Sequence, residues 1–450
     1  MQAAAVAPAP HFGNVLVSHD SFLAHSEPAI AENPANHRNL VAGSKFFTDP
    51  STYQFKIGTY YSRDGGHSWH ASGLLPGFEA YSVTSDISVA FSKTGVAYVC
   101  VLAAGGNRSG IFVSHSDDGG KTWSNPATVF LDTTGATFSD KPWMAVDQTT
   151  TASAGAIYVA WNLDGGSDHD AGSPDAVTPR AQRLGSVKPG IVLARSTDGG
   201  KTFTPPTLVQ DFGQGGAIGA IPAVGTQGQV YVAYVTFDAS TGAVDHIEVV
   251  RSADHGQTFM YSLVHTVHGI PNHLGTSTFR SLSLPTFAVS SKDGSMVVAW
   301  ADEGSRDADI LASTSRDGGT TWSPSTRVNH DRLNNGKDQF QPALAVAPNG
   351  IYTCAWFDRR HDPNNRLIDE EIAQSSDGGI TWGHNFRVTA KSWDPSIDAP
   401  LPEGKPSNTF IGDYQALAVD NTTVHPLWND TQNGHAQEIE TAVLPETRLR

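Results

Sequence analysis

Four residues of this 450-residue chain combine a side chain suited to proton transfer or nucleophilic attack with a position at the end of a predicted strand. They are Asp86, Asp140 and Tyr414, which stand at the starts of predicted inner strands, and Asp358, which follows a predicted second strand. Paired carboxylates, or a carboxylate with a tyrosine, are the groups that hydrolyse glycosidic bonds. The pattern therefore predicts a glycoside hydrolase site, with Asp140 and Asp358 as the foremost acid/base candidates.

A set of aromatic and charged residues follows the predicted strands and would bind the substrate. Aromatic faces stack on sugar rings, and arginine forks bind carboxylates through two hydrogen bonds. A structural interpretation stays open for each residue, since a Trp before a loop often packs between repeats and an Asp after it often caps the turn. The substrate-binding candidates are Arg280, Arg306, Arg359, Arg360, Trp161, Trp300, Trp356, Trp428, Asp302, Asp430 and His361.

A repeated turn motif indicates the strands that must position these residues. One copy is Ser116-Asp117-Asp118-Gly119-Gly120-Lys121-Thr122-Trp123. Ser and Asp side chains bond to nearby backbone, and Gly adopts φ > 0 without strain. Each copy therefore predicts a hairpin between two strands. The six copies begin at Ser62, Ser116, Ser196, Ser252, Ser315 and Ser375.

A second motif occurs seven times and ends in a small residue. Small residues suit the innermost strand of a β-propeller, where the blades crowd toward the axis. The closing positions are 31, 90, 145, 225, 288, 345 and 418. The sequence thus predicts an all-β fold, a single seven-bladed β-propeller, with a six-bladed propeller as the alternative.

The two ends of the chain predict how the ring closes. The seventh repeat has three predicted strands, whereas residues 14–18 form an extra strand before the first repeat. This strand would complete the seventh blade and remove the open edges that otherwise promote aggregation. We expect residues 1–10 to be a disordered tail and residues 11–450 to form the propeller.

The turn motif resembles the Asp-box, or BNR repeat, of sialidases and other carbohydrate-active β-propellers. The resemblance implies an exo-α-sialidase-like glycosidase acting on acidic glycans at a central pocket. Sialidases use three arginines on the substrate carboxylate, an aspartate as acid/base, and a tyrosine–glutamate pair as nucleophile. By this resemblance Tyr414 is the tyrosine, Asp86 or Asp140 the acid, and the arginines come from Arg280, Arg306, Arg359 and Arg360. The chain departs from that family where Glu27-Pro28-Ala29-Ile30 replaces an Arg-Ile-Pro motif, and in its blade count.

Two other functions fit the same residues. A polysaccharide lyase acting on uronic-acid glycans needs a base, and an arginine that neutralises the uronate. His361, Arg359, Arg360 and Tyr414 would supply these groups. A non-catalytic propeller that binds sugar or protein would depend on the tryptophans more than on the acids.

The composition limits the partners, and it leaves the oligomeric state open. The formal net charge of −16 argues against nucleic acid and anionic membrane surfaces, and no apolar run is long enough to span a bilayer. Cys100 and Cys354 form no metal-binding spacing, so we expect no cofactor, with calcium at Asp164, Asp168 and Asp170 as the alternative. The N-terminal segment is typical of a mature start after removal of a signal peptide, which predicts a secreted or periplasmic protein.

Overall fold

The computed structural model describes residues 12–49, 54–165, 189–211, 216–238, 240–241, 243–269, 274–277, 279–304, 306–398 and 410–449. Within them the chain forms seven antiparallel sheets and almost no helix. No helix in this part of the chain has the length and apolar character that a membrane crossing requires. The tail expected at residues 1–10, and Asp168 and Asp170 of the calcium alternative, lie outside the described residues.

The first three blades follow one another along the chain after an initial strand, β1 (Asn14–Leu16). Blade 1 contains β2 (Leu23–Glu32), β3 (Leu40–Asp49), β4 (Gln54–Ser62) and β5 (His70–Leu74). Blade 2 contains β6 (Val83–Phe91), β7 (Ala97–Gly105), β8 (Arg108–Ser116) and β9 (Ala127–Asp132). Blade 3 contains β10 (Thr137–Val146), β11 (Ile157–Gly165), β12 (Gly190–Ser196) and β13 (Thr207–Asp211).

The remaining four blades continue the same order. Blade 4 contains β14 (Gly216–Val224), β15 (Val230–Phe237), β16 (Val244–Ser252) and β17 (Met260–Thr266). Blade 5 contains β18 (Thr286–Val289), β19 (Met296–Asp302), β20 (Asp309–Ser315) and β21 (Thr326–Arg327). Blade 6 contains β22 (Gln339–Val346), β23 (Tyr352–Asp358), β24 (Asp369–Ser375) and β25 (Phe386–Arg387). Blade 7 contains β26 (Ala416–Val419), β27 (Thr423–Asp430), β28 (Glu438–Ala442) and β29 (Leu444–Pro445), before a 3₁₀ turn at Glu446–Arg448.

The seven sheets form a closed ring. In blades 1 to 6 the strands lie in sequence order from the innermost to the outermost. Each innermost strand contacts the innermost strand of the next blade, and β26 of blade 7 contacts β2 of blade 1. The predicted seven-bladed propeller is therefore confirmed, and the six-bladed alternative is wrong.

The ring closes through pairing of the first strand of the chain with the last blade. β1 lies antiparallel to β28, with Asn14 opposite Ala442 and Leu16 opposite Glu440. Blade 7 thus has the order β26-β27-β28-β1, and β29 pairs separately with β27. Because its outer strand comes from the other end of the chain, this blade has no exposed edge on β28.

Each Asp-box is held by the same four hydrogen bonds. In the second copy the Ser116 hydroxyl donates to Asp118 Oδ1 at 2.8 Å and accepts from the Gly120 N–H at 2.9 Å. Asp118 also accepts from the backbone N–H and the hydroxyl of Thr122, at 2.9 and 2.7 Å. Equivalent bonds occur in the other five copies, so the motif fixes its turn from within.

The apolar core lies between neighbouring blades, because both faces of each sheet are covered. The second strands are accordingly almost continuously apolar, and residues 97–103 of β7 are all buried. Cys100 packs with Trp161 between blades 2 and 3, and Cys354 packs in the core around blade 6. Both cysteines are free thiols that act as small apolar side chains.

Candidate functional site

Five innermost strands carry a β-bulge at an equivalent place within the strand. Within the described residues, the pairing register shifts there in β2, β6, β10, β14 and β22. The first bulged residue has a positive φ in every case, and only one of the five is glycine. An L-residue pays about 1–2 kcal/mol for this conformation, and such bulges commonly redirect side chains beside functional sites. The residues are Glu27, Asp86, Lys141, Gly219 and Gln341, with φ of 52°, 51°, 47°, 76° and 49°.

Charged side chains from five blades meet around the axis. Asp413 accepts two hydrogen bonds from the Arg280 guanidinium, at 2.9 and 2.6 Å, and one from the Lys141 ammonium at 2.8 Å. The same ammonium lies 3.6 Å from Asp86 and 3.9 Å from Glu27. We call this group the axial cluster, and it comprises Glu27, Lys45, Asp86, Asp140, Lys141, Arg280, Asp413 and Tyr414.

The carboxylates of the axial cluster have opposed proton affinities. Burial raises the pKa of Asp140 and of Asp86, and Lys141 offsets this rise only in part. Burial acts on Asp413 as well, but Arg280 and Lys141 outweigh it and hold the pKa of Asp413 below its usual range. Two carboxylates whose pKa values are shifted in opposite directions suit an acid–base site, in which one group is protonated and the other is ionised.

Tyr414 lies against Trp143 at the same place. The two ring centroids are 4.8 Å apart, and the Tyr414 hydroxyl is buried with no hydrogen-bond partner among the described residues. Burial raises the pKa of Tyr414 well above its usual value, so the phenol stays neutral. Trp143 and Asp140 are half-buried, and they form the more accessible part of this region.

The structure brings together four of the predicted site residues, and it adds others that the sequence did not indicate. Asp86, Asp140, Arg280 and Tyr414 all belong to the axial cluster. Lys45, whose ammonium lies 2.7 Å from Glu27, was missed, as was Trp143. A lysine directly before Phe46 and Phe47 in strand β3 is the signal that would have indicated a buried ion pair.

The Trp-x-Asp segments prove to be structural, which corrects the prediction that they bind substrate. The Trp356 indole N–H donates to Asp358 at 2.8 Å, and Trp428 donates to Asp430 at the same distance. Trp300 makes a longer bond of 3.4 Å to Asp302. All four tryptophan rings are fully buried, so no face is exposed for stacking on a sugar; the rings are those of Trp161, Trp300, Trp356 and Trp428.

The three aspartates of these segments cap the turns that follow them. Asp358 accepts from the Arg360 N–H at 2.8 Å, and Asp430 accepts from the Gln432 N–H at 3.0 Å. Asp302 accepts from the Gly304 N–H at 2.8 Å. Asp358 is fully buried and also pairs with the Arg360 guanidinium at 2.6 Å, so it is not a member of the axial cluster.

The predicted arginines are dispersed. Arg359 is buried between the rings of Phe279 and Phe340, at 5.2 and 5.3 Å from their centroids. Arg360 pairs with Asp358, as described above, while Arg306 is exposed. With Arg280 bound to Asp413, the four predicted arginines do not form the three-arginine arrangement implied by the sialidase resemblance.

His361 also lies apart from Tyr414. Its Nε2 is 2.7 Å from Glu371 Oε1 beside β24, whereas Tyr414 contacts Trp143 in the axial cluster. His361 and Tyr414, the two base candidates for a lyase, therefore lie at different places in the fold.

Potential metal ligands occur at two places in the described part of the chain. Ligand atoms of His265, His268 and Asp302 lie within 4.8 Å of one another, and those of Glu32, His37 and Asp420 do the same. Asp164 lies beside the axial cluster, and burial raises its pKa to about 7.

Comparison with known proteins identifies the repeat. A family model described as a BNR repeat-like domain matches residues 217–423, and a BNR/Asp-box repeat model matches residues 60–71. No curated protein matches the chain.

Several solved structures share the fold at low sequence identity. The Hadza microbial sialidase Hz136 is 16% identical, with a TM-score of 0.53 over 88% of this chain and 74% of its own. A protein of unknown function from Dyadobacter fermentans DSM 18053 is 14% identical, with a TM-score of 0.53 over 98% and 100%. The α-L-arabinofuranosidase Arb93A from Fusarium graminearum, in complex with an iminosugar inhibitor, is 13% identical, with a TM-score of 0.51 over 98% and 99%. These likenesses show the β-propeller fold, and the repeat-model matches identify BNR/Asp-box repeats within it.

Proposed function

We propose that the chain is a glycoside hydrolase whose reaction takes place at the axial cluster. The observation that carries this proposal is the convergence of carboxylates with opposed pKa shifts beside strained bulges around the axis. Strain and perturbed pKa values both concentrate at functional sites. The fold shared with a sialidase and an arabinofuranosidase is consistent with the proposal.

In this proposal Asp140 is the general acid. Burial raises its pKa, which keeps the carboxyl protonated at a higher pH than usual, and it is half-buried rather than sealed. Its Oδ1 accepts from the Lys141 N–H at 3.0 Å, which fixes the side chain. Asp86 and the unpartnered hydroxyl of Tyr414 are the groups that would face the other side of the scissile bond.

The same geometry bears on the charge of the substrate. Arg280 and Lys141 already bind Asp413, and Lys45 binds Glu27, so a sugar carboxylate would have to displace an internal partner. We therefore propose that the preferred substrate is an uncharged glycoside. The acidic glycan of an exo-α-sialidase is the second possibility, and we keep the secreted or periplasmic location as a proposal that rests on the resemblance.

A substrate screen tests the function. The purified chain would be assayed with nitrophenyl glycosides of neutral sugars, including α-L-arabinofuranoside, with an α-sialoside, and with uronic-acid polysaccharides. We expect hydrolysis of at least one neutral glycoside. Hydrolysis of the sialoside instead would support the acidic specificity, and an unsaturated product from a uronic-acid polymer would show a lyase.

Asp140→Asn is the decisive variant, because loss of a general acid lowers the rate by about 10²–10⁴-fold. The control is Asp117→Asn, whose carboxylate in the second Asp-box is 78% exposed and should be dispensable. Glycan binding without turnover by the unaltered chain, or equal rates in Asp140→Asn, would refute hydrolysis at this cluster.

A further inference from the structure

Four potential metal ligands meet where the first and last blades join, away from the axial cluster. Glu32 ends β2, and His37 lies in the turn before β3, both in blade 1. Asp420 follows β26, and His425 lies on β27, both in blade 7. We call these residues, Glu32, His37, Asp420 and His425, the closure cluster.

Ligand atoms of Glu32, His37 and Asp420 lie within 4.8 Å of one another, and His425 adjoins this group at Glu32. His37 Nδ1 is hydrogen-bonded to Glu32 Oε1 and lies 3.3 Å from Asp420 Oδ2. His425 Nε2 lies 3.8 Å from Glu32 Oε2. Ligand atoms of a tetrahedral zinc site are separated by about 3.3 Å, given metal–ligand distances near 2.0–2.1 Å. The His37–Asp420 separation of 3.3 Å matches that value, and the His425–Glu32 separation of 3.8 Å is longer.

Two buried groups in the cluster face each other without hydrogen-bond partners. Neither ring nitrogen of His425 has a partner among the described residues, and neither does Glu32 Oε2. The His425 side chain is 1% exposed and that of Glu32 is 6% exposed. Burying polar groups unpaired is costly, so this pairing of an imidazole nitrogen and a carboxylate oxygen calls for a bound cation.

Backbone hydrogen bonds orient Asp420 toward the same cluster. Asp420 Oδ1 accepts from the backbone N–H groups of Thr422 and Thr423, at 2.7 and 2.6 Å, while Oδ2 is directed toward His37. Outer hydrogen bonds of this kind fix ligating carboxylates in metal sites.

We propose that the closure cluster binds one divalent transition-metal ion of the zinc class and thereby ties blade 1 to blade 7. Two imidazoles with two carboxylates suit zinc, whereas calcium prefers oxygen ligands alone. A metal bound there would reinforce the β1–β28 pairing that closes the ring. This proposal does not depend on the hydrolase proposal.

Cobalt binding provides the direct test. The purified full chain would be treated with a chelator and dialysed against Co²⁺, and the bound metal and its visible absorption would be measured. We expect the His37→Ala and Glu32→Gln variants each to bind one Co²⁺ ion fewer per chain than the unaltered protein. Both should also lack the visible absorption of cobalt held by nitrogen and oxygen ligands. His37 is 58% exposed, so its substitution leaves the fold intact, and circular dichroism checks this.

Two controls separate this site from other histidines. His435→Ala removes an exposed histidine at the opposite end of blade 7, and His265→Ala alters the other cluster of potential ligands. Both should retain the cobalt equivalent that His37→Ala loses. Absence of cobalt binding, or a loss that follows His265 instead of His37, would overturn the proposal.

Thermal unfolding tests whether the metal ties the blades together. Added Zn²⁺ should raise the melting temperature of the unaltered chain, because a ligand that binds only the folded state stabilises it. The rise should be absent in His37→Ala and present in His435→Ala. An equal rise in all three proteins would contradict a structural role for the closure cluster.

Discussion

The ammonium of Lys141 lies 2.8 Å from Asp413 Oδ2, although 272 residues separate the two in the sequence. Lys141 comes from the bulge of β10 in blade 3, and Asp413 precedes β26 in blade 7. The pair therefore spans the axis of the ring. Because Lys141 is also close to Asp86 and Glu27, it is a shared counter-charge for carboxylates from three blades.

We expect Lys141→Met to destabilise the protein strongly. Removing one partner of a buried ion pair leaves uncompensated charge and costs about 3–5 kcal/mol. Urea unfolding at neutral pH measures the loss. The matched control is Lys121→Met in the exposed turn of the second Asp-box, which should change the unfolding free energy by less than about 0.5 kcal/mol. A small effect at Lys141 would show that the axial ion pairs contribute little.

Asp358→Asn and Asp140→Asn should have opposite effects. Asp358 bonds to the Trp356 indole and the Arg360 guanidinium, so its replacement should cost about 2–4 kcal/mol of stability. Activity per folded molecule should not change. Asp140→Asn should instead keep its stability and lose activity by about a hundredfold or more. Parallel unfolding curves and rate assays distinguish the two, and lost activity in folded Asp358→Asn would restore Asp358 as a catalytic candidate.

Gly120→Ala should show how tightly each Asp-box packs on the preceding blade. Gly120 has φ of +91°, and an added Cβ would collide with Val41 Cγ2 of blade 1. Gly65→Ala is the control, because Gly65 has φ of +79° in an equivalent turn with no atom near the added Cβ. We expect a loss of about 1–2 kcal/mol for Gly65→Ala, from backbone strain alone, and about 1–3 kcal/mol more for Gly120→Ala. Equal losses of unfolding free energy, measured by urea unfolding, would mean that Val41 moves aside for the added Cβ at little cost.

The stability of the protein should fall as the pH rises toward 8, in part through Glu440. Burial, together with repulsion from the nearby carboxylate of Asp430, raises the pKa of Glu440 to about 8 from an ordinary value of 4.5. The folded protein thus holds a proton that the unfolded chain releases. The resulting stabilisation is complete below pH 4.5 and is lost as the pH rises through about 8.

Glu440→Gln should reduce this dependence. We expect the difference in unfolding free energy between mildly acidic and mildly alkaline pH to shrink by about 1–2 kcal/mol, allowing for solvent screening of a half-buried group. The exposed Glu79→Gln serves as the control and should leave the difference as it is. An unchanged pH dependence in Glu440→Gln would exclude Glu440 as its source.

The sequence alone determined the repeat architecture. Each Asp-box bonds to itself within a few residues, as Ser116, Asp118 and Thr122 show, so its pattern can be read locally. The seven inner-strand motifs gave the blade number. The unmatched strand near Asn14 indicated how the ring closes, since a three-stranded seventh repeat needed a partner.

Only the tertiary structure decided which charged residues meet. The sequence assigned Asp86, Asp140, Arg280 and Tyr414 to one region beside the inner strands, and the structure brings them together, but it buries Trp356 and Arg359, which were predicted to bind substrate. A Trp-x-Asp segment looks the same whether its indole faces a sugar or donates to its own aspartate. The ion pairs from Lys45 to Glu27 and from Lys141 to Asp413 depend on bulges and on ring closure, and these bring distant parts of the chain together only in the folded protein.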